Sequence, residues 1–188
     1  MVTELKDYIK VYDALFEDEF CDTVIETVNN CELTTIDRDQ RPSFSEFNIS
    51  QRYLAKDPSW MGIQKKIQDV FIDCVQLYMQ SLKVEVDFPE KYAFEEYRIK
   101  RYENNGHDQF MDHVDVGDYN SARRFLVLFL YLNTVEIGGN TEFPRLSHSV
   151  SPQKGRVLMF PATWQYRHAG RPPESDKKYI VGTYLHYL

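Results

Sequence analysis

Apolar positions recur every three or four residues twice in the first half of the chain. Between Phe16 and Asn30, the residues Phe20, Val24, Ile25 and Val28 fall on one face of a helix. Asp57-Pro58 then offers an N-cap followed by proline at the first helical position. Trp60, Ile63, Ile67, Val70, Phe71, Cys74, Leu77, Tyr78 and Leu82 continue the spacing and predict a second helix, running to about Ser81. That broad stripe reads as core, because a helix laid along a sheet needs such a face. A short strand-like opening covers Tyr8 to Leu15. Glu32 to Asp57 shows no clear period and reads as a long irregular loop with one strand near Ile49 to Leu54. A segment of this kind serves as a lid over a site or as a plain mobile surface loop.

After Phe88 the period shortens to two. Tyr92 to Tyr102 alternates polar and apolar residues, and Phe125 to Leu132, FLVLFLYL, is a continuous apolar run suited to a central strand covered on both faces. Further strands are predicted at Val150, at Arg156 to Phe160 and at Lys178 to Tyr187, with Gly138-Gly139 and RPPESD as turns. Helices first and short strands later predict an α+β fold. Supporting helices to about residue 85 precede a jelly roll, or double-stranded β-helix, from about residue 86. With 188 residues the chain suits a single domain, 1–188, with one substantial core.

Composition narrows the partners. The formal charge is -7 and no block of like charges occurs, which argues against nucleic acid. Cys21, Cys31 and Cys74 are odd in number and lack CxxC spacing, so they read as free thiols in a reducing compartment. The opening residues carry charges throughout, and no stretch is long and apolar enough for a membrane span. The expectation is a soluble, cytoplasmic protein without a membrane partner.

Candidate chemistry lies in His113-x-Asp115. On an extended segment, residues two apart point to one side, so a third ligand from a neighbouring strand can complete one face of a metal. Such a pair alone is more often a turn or a surface pair. Here His168 follows a predicted strand, and Lys178 opens the last one. Two histidines and a carboxylate leave coordination positions open, which suits non-haem Fe(II). His107, beside Asp108, is a rival ligand with the wrong spacing; His107 and His148 sit in loop-like sequence and read as exposed.

RYENNGHDQFMDHVD, RRFLVLFLYLNTVEIGGNTEFP, KGRVLMFP and RHAG followed by Lys178, in this order, resemble the Fe(II)/2-oxoglutarate dioxygenases of the prolyl 4-hydroxylase type from about Tyr92 onward. The resemblance implies that His113, Asp115 and His168 hold Fe(II), with 2-oxoglutarate chelating it. Lys178 would pair with the far carboxylate of 2-oxoglutarate, helped by the Tyr131 and Thr141 hydroxyls, and Tyr102 would reach the cosubstrate near the metal. Arg124, Tyr184 and His186 match positions at the substrate mouth. The implied partners are O2 and a peptide or protein containing proline, with ascorbate as a reductant. Three departures bear on the substrate: the stretch between Tyr102 and His113 is slightly longer than in similar members, Phe110 stands where a tyrosine is common, and Tyr184 replaces a tryptophan. A free amino acid or another side chain is the alternative substrate. A zinc hydrolase or a non-catalytic jelly-roll binding protein are the rivals from other classes, and both leave part of the set without a role.

Overall fold

The computed structural model describes residues 4–38 and 42–188. Twelve strands form one curled, antiparallel sheet: β1 (Lys10–Tyr12), β2 (Thr34–Asp37), β3 (Pro42–Asn48), β4 (Tyr92–Phe94), β5 (Arg98–Tyr102), β6 (Gln109–His113), β7 (Arg124–Tyr131), β8 (Thr141–Phe143), β9 (His148–Val150), β10 (Val157–Pro161), β11 (His168–Gly170) and β12 (Lys178–Tyr187). Their order is β1-β10-β7-β12-β5-β3-β6-β11-β8-β9, with β2 added to β3 and β4 to β12. The sheet curls into a half-barrel of the double-stranded β-helix kind, with β1 and β9 at its two ends. Helices α1 (Asp18–Asn29) and α3 (Pro58–Leu82) cover its outer face, and a short α2 (Ile49–Leu54) links β3 to α3.

The FLVLFLYL run explains why one strand can be apolar throughout. Leu126, Leu128, Leu130 and Leu132 face the helices together with Phe71, Cys74 and Tyr78. Val127, Phe129 and Tyr131 alternate with them and face the barrel interior beside Tyr102, Phe143 and Phe160. A fully buried leucine stabilises by roughly 1.5–3 kcal/mol relative to exposure, so the helix-facing row alone anchors β7. β12 behaves alike: Val181 and Leu185 pack under the helices, while Ile180 points inward. The interior face carries the site.

Helix α3 begins as its sequence predicts. Asp57 accepts from the Ser59 amide, Pro58 occupies the first turn, and Lys83 ends the helix in the left-handed conformation. Leu77, placed by spacing on the buried stripe, is 43% exposed. Helix α1 buries Cys21, Val24 and Val28, and its first turn holds Asp18 and Glu19 at the positive end of the helix dipole.

Glu32 to Asp57 departs from its prediction as an irregular loop. β2 and β3 pair through Thr34–Glu46 to Asp37–Ser43, and β3 also pairs with β5 and β6, so most of the segment is built into the barrel wall. That placement removes the basis for reading it as a lid; residues 39–41 lie outside the described part. The predicted strand at Ile49 to Leu54 is the helix α2, because the Asn48 side chain accepts from the Gln51 amide and caps it. The first 85 residues accordingly contribute three strands as well as helices. Among the described residues, no helix is long and apolar enough to cross a membrane.

Candidate metal centre and cosubstrate pocket

Strands β6 and β11 pair so that His113 stands directly opposite His168. Asp115 follows the end of β6 and points into the same space. One ligand atom from each of the three residues lies within 4.8 Å of the others, and among the described residues this is the cluster that could hold a metal. Asp115 Oδ1 lies 3.8 Å from His113 Nε2, and Asp115 Oδ2 lies 3.6 Å from His168 Nε2.

The ring orientations suit metal binding. His113 Nδ1 donates to the Met111 carbonyl at 2.8 Å and His168 Nδ1 to the Tyr166 carbonyl at 3.0 Å, which leaves each Nε2 with its lone pair turned to the centre. Phe110 stacks on His113 with ring centroids 3.5 Å apart. Burial, with His168 beside it, pushes the His113 pKa down to about 4, so the ring is neutral and ready to ligate at ordinary pH. Asp115 is different in kind. Its Oδ1 accepts from the Tyr184 hydroxyl at 2.9 Å, whereas Oδ2 is buried with no hydrogen-bond partner. A buried carboxylate oxygen without a donor is costly, and a divalent cation between it and the two Nε2 atoms would satisfy it. The donor set fits Fe(II).

Next to this centre is the second half of the site. Lys178 is 1% exposed, and its ammonium donates to the Gly139 carbonyl at 2.8 Å while lying 4.4 Å from the centre of the Tyr102 ring. Among the described residues it meets no carboxylate. Burial, with Lys100 nearby, lowers its pKa to about 7. Thr141 lines the same cavity, and its buried hydroxyl shares a 2.7 Å hydrogen bond with that of Tyr131, which is buried behind it and outside the cavity lining. Tyr102 is buried and burial raises its pKa, which keeps its hydroxyl protonated as a donor. The cavity lined by Lys178, Tyr102 and Thr141 is narrow, about 20 Å³, and His113, Asp115, His168, Lys100 and Tyr184 also line it.

Outside it opens a cleft of about 650 Å³. Arg124, Tyr184 and His186 border this cleft, but His186 does not reach the metal cavity, although period-two spacing places it on the same side as Lys178 and Tyr184. The strand register shifts between Leu185 and His186, and His186 Nδ1 instead sits 3.7 Å from Glu95 Oε1. Arg124 is already engaged: its guanidinium holds Glu95 through two bonds of 2.8 and 2.7 Å and covers the Tyr184 ring at 4.0 Å. His107 and Asp108 take no part in the centre. His107 pairs with Asp37 at 3.1 Å, and Asp108 is a buried loop anchor that accepts from Ser43 and the Glu103 amide. His107 and His148 are half-buried, where their loop-like sequence reads as exposed, because Asp37 and Phe143 pack against them.

Two site residues escape the sequence reading. Lys100 alternates with Tyr102 on β5 and lines both the cavity and the cleft. Its period-two relation to Tyr102 is the signal that could have found it. Glu95, just past β4, carries no such signal, since its role depends on Arg124 from another strand.

The sequence profile of the 2OG-Fe(II) oxygenase superfamily matches residues 97–186. No curated protein sequence matches the chain. Solved structures similar in fold include the viral collagen prolyl hydroxylase of Paramecium Bursaria Chlorella virus-1 in complex with 2OG, at 22% identity and TM-score 0.71, covering 96% of this chain and 97% of that one. A Trichoplax adhaerens prolyl hydroxylase bound to a peptide fragment of the hypoxia inducible factor oxygen degradation domain is 13% identical, with TM-score 0.69 and coverage of 95% and 83%. A Pseudomonas putida prolyl-4-hydroxylase is 16% identical, with TM-score 0.64 and coverage of 96% and 93%. Residues 97–186, which carry the His113, Asp115 and His168 cluster and the buried Lys178, match the 2OG-Fe(II) oxygenase superfamily.

Proposed function

We propose that the chain hydroxylates a prolyl residue of a peptide or protein to 4-hydroxyproline, coupled to decarboxylation of 2-oxoglutarate to succinate and CO2. One observation carries the reading: among the described residues, a carboxylate oxygen with no hydrogen-bond donor and two imidazole nitrogens converge beside a buried ammonium with no counter-ion. The first set asks for a metal and the second for an acid. A zinc hydrolase would leave Lys178 without a partner.

His113, Asp115 and His168 would hold Fe(II), which supplies O2 activation, one oxygen atom passing to the substrate C–H and the other to succinate. The protein's own groups do the rest. Lys178 pairs with the far carboxylate of 2-oxoglutarate, and the Tyr131 and Thr141 hydroxyls turn from each other to donate to it. Tyr102 packs against the Lys178 ammonium and borders the cosubstrate. Tyr184 fixes the rotamer of Asp115, and Phe110 seals one side of His113 against water. The cleft bordered by Arg124, Tyr184 and His186 receives the substrate, and its volume is in the range of ligand sites. Support for proline comes from the prolyl hydroxylases that share the fold. Ascorbate as reductant and a cytoplasmic location, suggested by three free cysteines, belong to the same proposal.

The test is an anaerobic titration with Fe(II) and 2-oxoglutarate that follows the visible metal-to-ligand charge-transfer band, then aerobic incubation with proline-containing peptides. A band, succinate, and peptides heavier by one oxygen atom on proline are the expected results. Absence of the band with tight Zn²⁺ binding would overturn the reading.

A further inference from the structure

Lys100 stands where the metal cavity meets the cleft, and lines both. Register places it opposite Ile180 on β12, midway between Tyr102 opposite Lys178 and Arg98 opposite Gly182. Its ammonium rests over the rings of Phe44 and Phe110, at 5.0 and 5.5 Å from their centres. Among the described residues it makes no hydrogen bond and no ion pair. The other charges along the cleft are satisfied in a telling way. Arg98 is held by both Glu46 and Glu96, and Arg124 by Glu95, so the three carboxylates of the cleft are spent on two arginines. Lys100 and Arg123 are left over, and the cleft is cationic although the chain is strongly anionic.

We propose that Lys100 is a specificity-determining residue that binds a carboxylate of the substrate next to the carbon being hydroxylated. This deepens the function proposed above and rests on it. Phe110 stacks on His113, so an anion paired with the Lys100 ammonium over the Phe110 ring would sit beside the metal ligand and hold the neighbouring C–H toward the metal. A half-buried ammonium on two aromatic faces is poorly solvated and gains more from a carboxylate than a surface lysine does. The carboxylate has two sources: an acidic side chain flanking the target, or the terminal carboxylate of a peptide or free amino acid.

Three matched pairs of probes distinguish them, each an acid and its amide: a blocked peptide with Asp or Asn beside proline, a peptide ending in proline as free acid or amide, and L-proline or L-prolinamide. Binding is measured by calorimetry to protein loaded with Mn(II) and 2-oxoglutarate. At least one acid is expected to bind about 10-fold or more tightly than its amide, Lys100→Met to abolish the ratio, and Lys100→Arg to keep it. The pair that responds names the source. A ratio near one for all pairs, or a preference that survives in Lys100→Met, overturns the proposal. So does an equal loss of 2-oxoglutarate affinity in Lys100→Met, which would move the residue to the cosubstrate. Succinate formation by the wild type with Fe(II) separates the two levels: if succinate forms while no acid is preferred, the anion site falls and the dioxygenase stands, and if none forms, the dioxygenase falls.

Discussion

The Tyr184 hydroxyl donates to Asp115 Oδ1 across 2.9 Å, which ties the last strand of the barrel to the one carboxylate of the metal centre. Burial and the Asp115 charge both raise the Tyr184 pKa well above its ordinary value, so the hydroxyl stays protonated and remains a donor. The bond leaves Oδ2, 3.6 Å from His168 Nε2, as the oxygen without a donor among the described residues. Tyr184→Phe removes the donor and keeps the ring under Arg124, so the barrel should fold as before while Asp115 gains rotational freedom. Metal affinity is expected to fall roughly 10-fold or more, the usual effect of losing a partner behind a ligand. Competition between the protein and a chromogenic chelator for Mn(II) measures it, and an unchanged affinity would show that the contact is incidental.

Lys178 predicts a pH dependence of known sign. Its pKa is about 7 in the folded chain and 10.5 when exposed, so between these values the unfolded state binds the additional proton. The metal-free protein therefore gains stability from this group as pH rises from 7 toward 10.5, and lacks that gain below 7. Binding of 2-oxoglutarate restores the charge. Above pH 7 it must take up a proton, and its apparent Kd should rise with pH, by up to about tenfold per unit. Calorimetry at pH 8.5 in two buffers of different ionisation enthalpy detects the proton directly. Lys178→Met should lower 2-oxoglutarate affinity by about 100-fold or more, yet raise the Tm of the metal-free protein and flatten its change with pH.

What the sequence makes legible here is what depends on residues close in the chain or on strict alternation. His113-x-Asp115 can be read because both side chains leave one extended segment on the same side. His168 can be placed because it follows the apolar strand run RVLMFP, and Lys178 because it opens the apolar last strand. β2 could not be read, since it is an edge strand paired only with β3 and mostly exposed on both faces. β3 hides for the opposite reason: Phe44 enters the interior and Phe47 packs under the helices, so apolar residues fall on both faces and no period appears. The function of Arg124 misleads when read from its position alone, because the carboxylate that engages it comes from Glu95, distant in sequence.

That engagement makes a prediction about arginine itself. The fork on Glu95 and the stack on Tyr184 both need a planar guanidinium, and a lysine at 124 keeps the charge but can satisfy only one of them. Arg124→Lys is expected to lower stability by roughly 1–3 kcal/mol, as for loss of a charge-assisted bond in a partly buried site, and to raise KM for peptide more than it lowers kcal-scale binding of 2-oxoglutarate. Denaturant unfolding and steady-state succinate assays read the two effects. Equal losses in peptide and cosubstrate affinity would place Arg124 deeper in the centre than the cleft.

The Gly138-Gly139 turn carries the last prediction, because it holds the carbonyl that receives Lys178. Gly138 has φ +75, and a Cβ there would come within 2.5 Å of the Pro172 carbonyl oxygen. Backbone must shift to admit it, and the next residue's carbonyl, 2.8 Å from Lys178 Nζ, shifts with it. Gly138→Ala should therefore cost about 1–3 kcal/mol of stability and weaken 2-oxoglutarate binding, although residue 138 touches no part of the metal centre. Gly62→Ala is the control, since a Cβ at Gly62 meets nothing within 4 Å and its helical position favours alanine. Thermal unfolding and the charge-transfer titration, run on both variants, separate a local strain transmitted to Lys178 from a general loss of stability: the former lowers cosubstrate affinity even at temperatures where both proteins are fully folded.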